Sequence, residues 1–334
     1  MDAEPPLPTN IEELTALLQR ERVMHTATEK RRRTERTGRR NAEEKLRRAA
    51  LTETSSLPEA RYPILPIATA QSCFMECGGV PRQAGLASAT RAVLQFVPNV
   101  GPGCFDGLEK HSHIWVVFVF HCNTNAAKIA RSHSKKGCSF PSKINPPRLG
   151  GNVKVGVLAT RTPHRPNPLG LTLCKLEEVD AANRRVIVCG SDLVDGTPIL
   201  DIKPFIPFAD TPRTSEGPVR IPEWTAAVQP LREVTVEALA EEQLASYAVA
   251  KALRVFAGDA TRLRTALVQA LAADVGRRPR AMPYITLFDG VAVHYTVAQD
   301  GGATVVQRVE PHDAAKAGGT RPLAEVPAEL QHAF

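Results

Sequence analysis

Between Gly156 and Leu171 the chain reads GVLATRTPHRPNPLGL, and this run gathers side chains suited to holding a ligand: Arg161, His164, Arg165 and Asn167, set among Pro163, Pro166 and Pro168. A guanidinium presents a planar fork of donors that matches a carboxylate or a phosphate. The prolines fix backbone torsions and remove amide donors, so the polar side chains stand on a stiff turn, which lowers the entropy lost when an anionic or planar ligand binds. Other polar groups recur further out: Arg82 and Gln83 in a glycine-flanked loop, His121 at the end of the apolar run IWVVFVF, and the acidic turn Ser191, Asp192, Asp195-Gly196-Thr197-Pro198, followed by Asp201 and Lys203. Each also has a plain structural reading, as a surface turn, a structural histidine, ordinary turn formers and a local ion pair. No Ser-His-Asp order or P-loop is present, and Gly101-Pro102-Gly103 and Gly150-Gly151 lack the strand–GxGxxG–helix setting of a dinucleotide site. Cys73 and Cys77 stand four apart without a second pair at finger-like spacing, so no metal site is expected. Residue types alone lead to one arginine-rich polar site and leave its ligand unnamed.

The elements that must position these groups read mostly as strands. Alternating or continuous apolar segments cover Ile64–Ala68, Ala92–Val97, Ile114–Phe120, Val153–Ala159, Leu169–Leu176, Val186–Val188 and Leu200–Ile206, separated by loops rich in Gly, Pro and Asn. An antiparallel sheet closing towards a barrel fits them better than an alternating βαβ fold, and Ile114–Phe120, with no polar side, is expected to be buried on both faces. The barrel domain is placed at 58–210, a linker at 211–230 and a small α+β C-terminal domain at 231–334. That last part is expected to hold a helix near 238–256, a second one carrying Leu263, Leu267, Leu271 and Val275, and a hairpin pairing Tyr284–Phe288 with Val291–Val297 across Asp289-Gly290.

Charge is concentrated at the N-terminus. Residues 11–50 carry twelve Lys and Arg against seven Glu, a net of +5 out of the whole chain's +7. A helix opening with a capping arrangement at Thr9-Asn10 is expected to lose its apolar face after His25, so residues 1–57 form a basic arm, helical or disordered. Such an arm is either a handle on a nucleic-acid backbone or a solvated charged tail. No apolar run is long enough to span a bilayer and MDAEPPLPTN lacks a signal region, which makes cytosol or nucleus the expected compartment, with an organelle left open. The seven cysteines read as reduced thiols.

The signature run closely resembles that of the TsaA-like, or TrmO, family. Further family blocks occur in order: PRQAG at 81–85, LEKHSHIWVVFVFH at 108–121, PPRLGGN at 146–152 and LVDGTPILDIKP at 193–204, with a weaker echo at RPRAMPY, 278–284. The resemblance implies a mainly β, single-sheeted barrel, here with the small α+β domain and basic arm added. It also implies a homodimeric, S-adenosylmethionine-dependent methyltransferase acting on N6 of threonylcarbamoyladenosine at position 37 of tRNA, beside the anticodon. By matching position, the cofactor falls to Gln83, Ala84, Gly85, His121, Cys122, Arg161, Leu171, Ser191, Asp192 and Leu193. Substrate contacts fall to Arg82, His164, Arg165, Asn167 and Lys203, with His164 and Arg165 facing either the threonyl carboxylate or a tRNA phosphate. Asp195, Asp192 and His121, in that order, are the candidates to take the N6 proton, unless water takes it and these residues only position. Leu158 replaces a usual phenylalanine and Phe205 a common tyrosine, while the basic loop 123–145, with Lys128, Arg131, Lys135, Lys136 and Lys143, is suited to gripping an anticodon stem-loop. The rival readings are a non-enzymatic RNA-binding barrel and a methyltransferase for a non-tRNA substrate.

Overall fold

Apolar side chains that alternate along six segments can all turn inward only if the sheet closes, and in the computed structural model it does. The structure describes residues 64–123, 141–146, 153–226, 231–274, 283–298 and 303–312, together with scattered positions between Thr15 and Gly38. The chain divides into two units, Met1–Pro63 and Ile64–Phe334. In the first, the described positions are helical and exposed, and Thr26 and Thr28 donate their hydroxyls to the carbonyls of Arg22 and Met24, four residues back. The capping arrangement expected at Thr9-Asn10 lies outside the described residues.

In the second unit β1 (Ala68–Ser72), β2 (Arg91–Phe96), β3 (His113–Val119), β6 (Leu169–Asp180), β7 (Arg185–Cys189) and β8 (Pro198–Pro204) form a closed barrel in the order β1-β2-β7-β6-β3-β8. Every neighbour is antiparallel, and β8 returns to pair with β1. Closure leaves no barrel edge to be covered. The inward set includes Ala70, Leu94, Ile114, Val116, Phe118, Cys174, Val188 and Ile199, all buried. Gly170 is required on β6, because a Cβ there would lie 2.2 Å from Cζ of Phe118, whose ring crosses over it.

Three strand expectations are corrected. The first strand begins at Ala68, four residues late, since Ile64 and Leu65 are exposed and Pro66 removes a ladder donor. Residues 153–159 do not form a barrel strand: only Val155–Gly156 (β5) pairs, with Lys143–Ile144 (β4) in a separate two-stranded sheet, and Val157–Ala159 is a single 3₁₀ turn. Ile114–Phe120 is not buried on both faces. Its even residues fill the barrel while Trp115, Val117 and Val119 face outward, half-buried, because nothing covers that side as fully as the interior.

The C-terminal part holds a four-stranded sheet, β10 (Tyr284–Phe288), β11 (Val291–Val297), β12 (Ala303–Pro311) and β9 (Glu233–Val236), with β12 and β9 parallel. The expected hairpin β10–β11 forms in the expected register, Phe288 opposite Val291. Asp289 and Gly290 both have positive φ, as a two-residue hairpin turn demands, and a Cβ on Gly290 would lie 2.2 Å from the Ala252 carbonyl oxygen. The helix Ala260–Ala273 buries Leu263, Leu267 and Leu271, and Asp259 caps it by accepting the Arg262 amide; Val275 lies outside the described residues. In place of one helix over 238–256 there are two, Ala238–Leu244 and Tyr247–Ala252, with Ser246 capping the second through the Val249 amide. Cys73 and Phe74, just past β1, are buried in this second core rather than in the barrel's. No helix among the described residues is long and apolar enough to cross a membrane.

Candidate active site

The signature turn is built from short local bonds. Thr160 Oγ1 donates to the Val157 carbonyl at 2.8 Å, the Arg165 amide to Pro163 at 2.9 Å, and the Leu169 amide to Asn167 at 2.7 Å. The Phe120 amide reaches the Pro168 carbonyl at 2.9 Å, which ties the turn to the end of β3. Arg165 Nη1 donates to the Thr160 carbonyl at 3.1 Å, so this half-buried guanidinium is partly used in holding its own turn, whereas Arg161 is exposed.

This turn lines a cleft of about 1930 Å³ with the PRQAG loop, the ends of β3 and β6, and the turn after β7. The volume exceeds that of ordinary small-molecule pockets, ~300–1,000 Å³. Arg82, Gln83, Ala84, Gly85, His121, Cys122, Arg161, His164, Arg165, Asn167, Leu171 and Asp192 all line it. The PRQAG loop is fixed by the Gly85 amide, which donates to the Gly190 carbonyl at 2.9 Å, and Gly85 takes a positive φ of 83° that favours glycine.

Among the described residues, Thr172 Oγ1 and Asp192 Oδ1 on the cleft wall, and Ser191 Oγ behind it, are shut off from solvent and meet no hydrogen-bond partner. Such atoms are costly unless a ligand or water meets them. Burial raises the Asp192 pKa, opposed by its own backbone amide and by the Arg161 charge. His121 is half-buried, with Thr197 Oγ1 3.4 Å from its Nδ1 and Cys122 Sγ 3.0 Å from its Nε2. Burial lowers its pKa below 6.5 against the pull of the Asp195 backbone and carboxylate, so the ring is uncharged at neutral pH. Burial, and then the neighbouring Cys77, push the Cys122 thiol up to about 11, which makes it a poor nucleophile.

Four candidates stand apart from the cleft lining. Ser191 and Leu193 lie behind it, fully buried, and act through their backbones: Leu193 O accepts the Ser72 hydroxyl at 2.6 Å and Ser191 O the Thr90 hydroxyl at 3.1 Å. Asp195 is occupied elsewhere, accepting the Ser72 amide at 2.9 Å and a fork from Arg254 at 3.1 and 3.3 Å. Lys203, exposed on β8, pairs with Asp201 at 2.5 Å. Sequence reasoning missed Thr172, a polar residue on the inward phase of β6 that alternation would have flagged, and Ile221 and Trp224, cleft-lining residues within the segment read as a linker. Among the described residues no group of three His, Cys, Asp or Glu could hold a metal ion.

A closed antiparallel barrel with a polar cleft at its rim places this chain among the barrel folds rather than the dinucleotide folds. Comparison with known proteins then fixes the kind of barrel. Residues 69–211 match the model of the tRNA-methyltransferase O N-terminal domain. A tRNA (adenine(37)-N6)-methyltransferase of Escherichia coli is 42% identical over 148 residues, 43% of this chain and 58% of that protein. The mouse protein of the same name is 42% identical over 151 residues, 44% of this chain but 32% of its own length. A Pyrococcus abyssi protein named for S-adenosyl-L-methionine binding is 32% identical over 145 residues, 43% of this chain and 68% of that protein. The crystal structure of TrmO from Pseudomonas aeruginosa superposes with a TM-score of 0.55 at 29% identity, covering 75% of this chain and 98% of that one. The chain belongs to the TrmO family. It spans about a third to three fifths of the length of the two methyltransferase relatives.

Proposed function

We propose that this protein is an S-adenosylmethionine-dependent methyltransferase for N6 of adenosine 37 in tRNA, with threonylcarbamoyladenosine as the form of the base it accepts. The observation that carries the reading is a pair of buried atoms without a hydrogen-bond partner among the described residues, Thr172 Oγ1 and Asp192 Oδ1, on residues that line a cleft together with Arg161. These donors and acceptors fit a ligand that is polar along its whole length and carries both an amine and a carboxylate, as S-adenosylmethionine does. Gln83, Ala84, Gly85, Arg161, Leu171 and Asp192 are the lining residues we assign to holding it, with Ser191 and Leu193 as backbone support. Bound there, it would supply a methyl group on a sulfonium sulfur, which leaves with the bonding electron pair.

What remains for the chain is alignment and a proton. N6 of the modified base belongs to a urea-like group with a delocalised lone pair, so its proton must go as the nitrogen attacks. His121 faces the cleft uncharged and can take the proton once Nε2 gives up its 3.0 Å contact with the Cys122 thiol, and Asp192 holds protons more tightly than an ordinary carboxylate. We place His121 first and Asp192 second, and set Asp195 aside as acceptor because its oxygens are engaged by Arg254 and Ser72. His164 and Asn167, on the rim, are assigned to the base and its threonyl group, and Arg82 to the tRNA backbone; the family's homodimer is part of the same proposal. The test is methyl transfer from labelled cofactor to tRNA carrying threonylcarbamoyladenosine, unmodified adenosine 37, or neither. Transfer only to the first supports the whole reading, transfer to unmodified tRNA removes the substrate form, and calorimetry showing no cofactor binding removes the enzyme in favour of a binding barrel.

A further inference from the structure

The turn that carries Asp192 and Thr197 is gripped from the C-terminal lobe. Arg254 follows the helix Tyr247–Ala252 and forks onto Asp195, Nη1 to Oδ2 at 3.1 Å and Nη2 to Oδ1 at 3.3 Å. Both ends of this contact are anchored. On one side, the fully buried Asp289 accepts the amides of Val255 at 2.8 Å and Phe256 at 3.0 Å, while Arg91 Nη1 donates to the Val255 carbonyl at 2.9 Å. On the other, the Asp195 amide donates to Phe74 at 2.7 Å, the Gly196 amide to Ala70 at 2.8 Å, and Asp195 Oδ1 accepts the Ser72 amide at 2.9 Å. An ion pair on mobile stems contributes little, but a fork between two fixed backbones loses little entropy on forming.

The anchored turn in turn orients His121. Thr197 donates its hydroxyl to the Val194 carbonyl at 2.6 Å, and its oxygen lies 3.4 Å from Nδ1 of the ring. A Cβ on Gly196 would lie only 3.7 Å from Nε2. We propose that Arg254 is a positioning residue of the active site, holding Asp195 and through it the Val194–Thr197 turn that fixes the His121 ring. This rests on the reading of His121 as the group facing the reacting nitrogen.

Among the described residues, the charged or titratable groups around His121 are the Asp195 carboxylate, with Arg254 beyond it, and the Cys122 thiol, with Cys77 beside that. The experiment follows the His121 imidazole by NMR titration, alongside kcat, KM and cofactor affinity, in the full chain and in Arg254→Met, Arg254→Lys, Asp195→Asn and the double variant Asp195→Asn/Arg254→Met. Arg254→Met is expected to lower kcat about tenfold, as for a small misplacement of a reacting group, with cofactor affinity within about twofold of the parent. The His121 midpoint should rise, because Asp195 then acts on the ring without its guanidinium. Arg254→Lys, with charge but no fork, should fall between, and the double variant should lose no more than the worse single one. An unchanged His121 midpoint in Arg254→Met, or an additive double variant, overturns the proposal. If the parent protein methylates no tRNA, the functional reading fails, while the titration still decides whether Arg254 governs His121.

Discussion

Gly170 closes the signature run, and replacing it with alanine probes the barrel at its most crowded point. The new Cβ would lie 2.2 Å from Phe118 Cζ and 2.5 Å from both Cε atoms. Ordinary carbon contacts are at about 3.5–4.0 Å, so the ring must retreat by roughly 1.3 Å or more. It has little room: Phe118 is buried and meets Phe120 edge-on at 5.0 Å between centroids. Overpacking of this kind costs about 1–3 kcal/mol, and removing a strand glycine returns about 0.5–1 kcal/mol. We therefore expect Gly170→Ala to lose about 1–2 kcal/mol in urea denaturation, read as a shift in midpoint at unchanged slope. Phe118→Leu vacates part of the ring's space and should relieve the penalty, so the double variant should be more stable than the sum of the singles predicts. A Gly170→Ala protein within about 0.3 kcal/mol of the parent would show that the ring does not cross the glycine.

Asp192→Asn keeps the shape of the cleft wall and removes a carboxylate; hydrogen bonds to a charged group are worth about 1.5–3 kcal/mol, so cofactor affinity by calorimetry should weaken roughly tenfold or more. Methyl transfer should show an acid limb with a midpoint below 6.5, since burial lowers the His121 pKa, and His121→Gln should abolish that limb. The same shift makes folded His121 bind its proton more weakly than the unfolded chain does. Its contribution to stability is thus full above about pH 6.5 and declines as pH falls below that value, and Gln at this position should flatten the decline in thermal melts. Deleting residues 1–57 should weaken tRNA binding and reduce the slope of log affinity against log salt in filter binding, because it removes the twelve Lys and Arg clustered within residues 11–50.

The barrel was legible because the apolar segments separated by Gly-, Pro- and Asn-rich loops correspond to its strands, and Arg161, His164 and Asn167 were legible as neighbours because the prolines hold them on one turn. What the sequence could not show is a partner far along the chain: Asp195 reads as a free acid until Arg254, 59 residues on, is brought against it, whereas the Lys203–Asp201 pair, two residues apart, was open to reading as a local ion pair. Trp115 belongs to a continuous apolar run, yet only closure of the sheet decides which side of that run is inside. The four-residue offset of the first strand came from reading Ile64 and Leu65 as core, when Pro66 between them and the ladder makes them a lead-in. The arm and the loop 124–140 lie largely outside the described residues, and their assignment to tRNA remains a proposal tested by the salt series.

The placement of Cys73 and Phe74 has a further meaning. β1 supplies Ala68 and Ala70 to the barrel interior, and four residues past Ala70 the chain delivers Phe74 edge-on to Phe288 in the core of the C-terminal sheet. Neither interior can be repacked at this point without drawing on the other, so a change at Phe74 is expected to be felt on both sides, in the barrel that carries the cleft and in the sheet behind it.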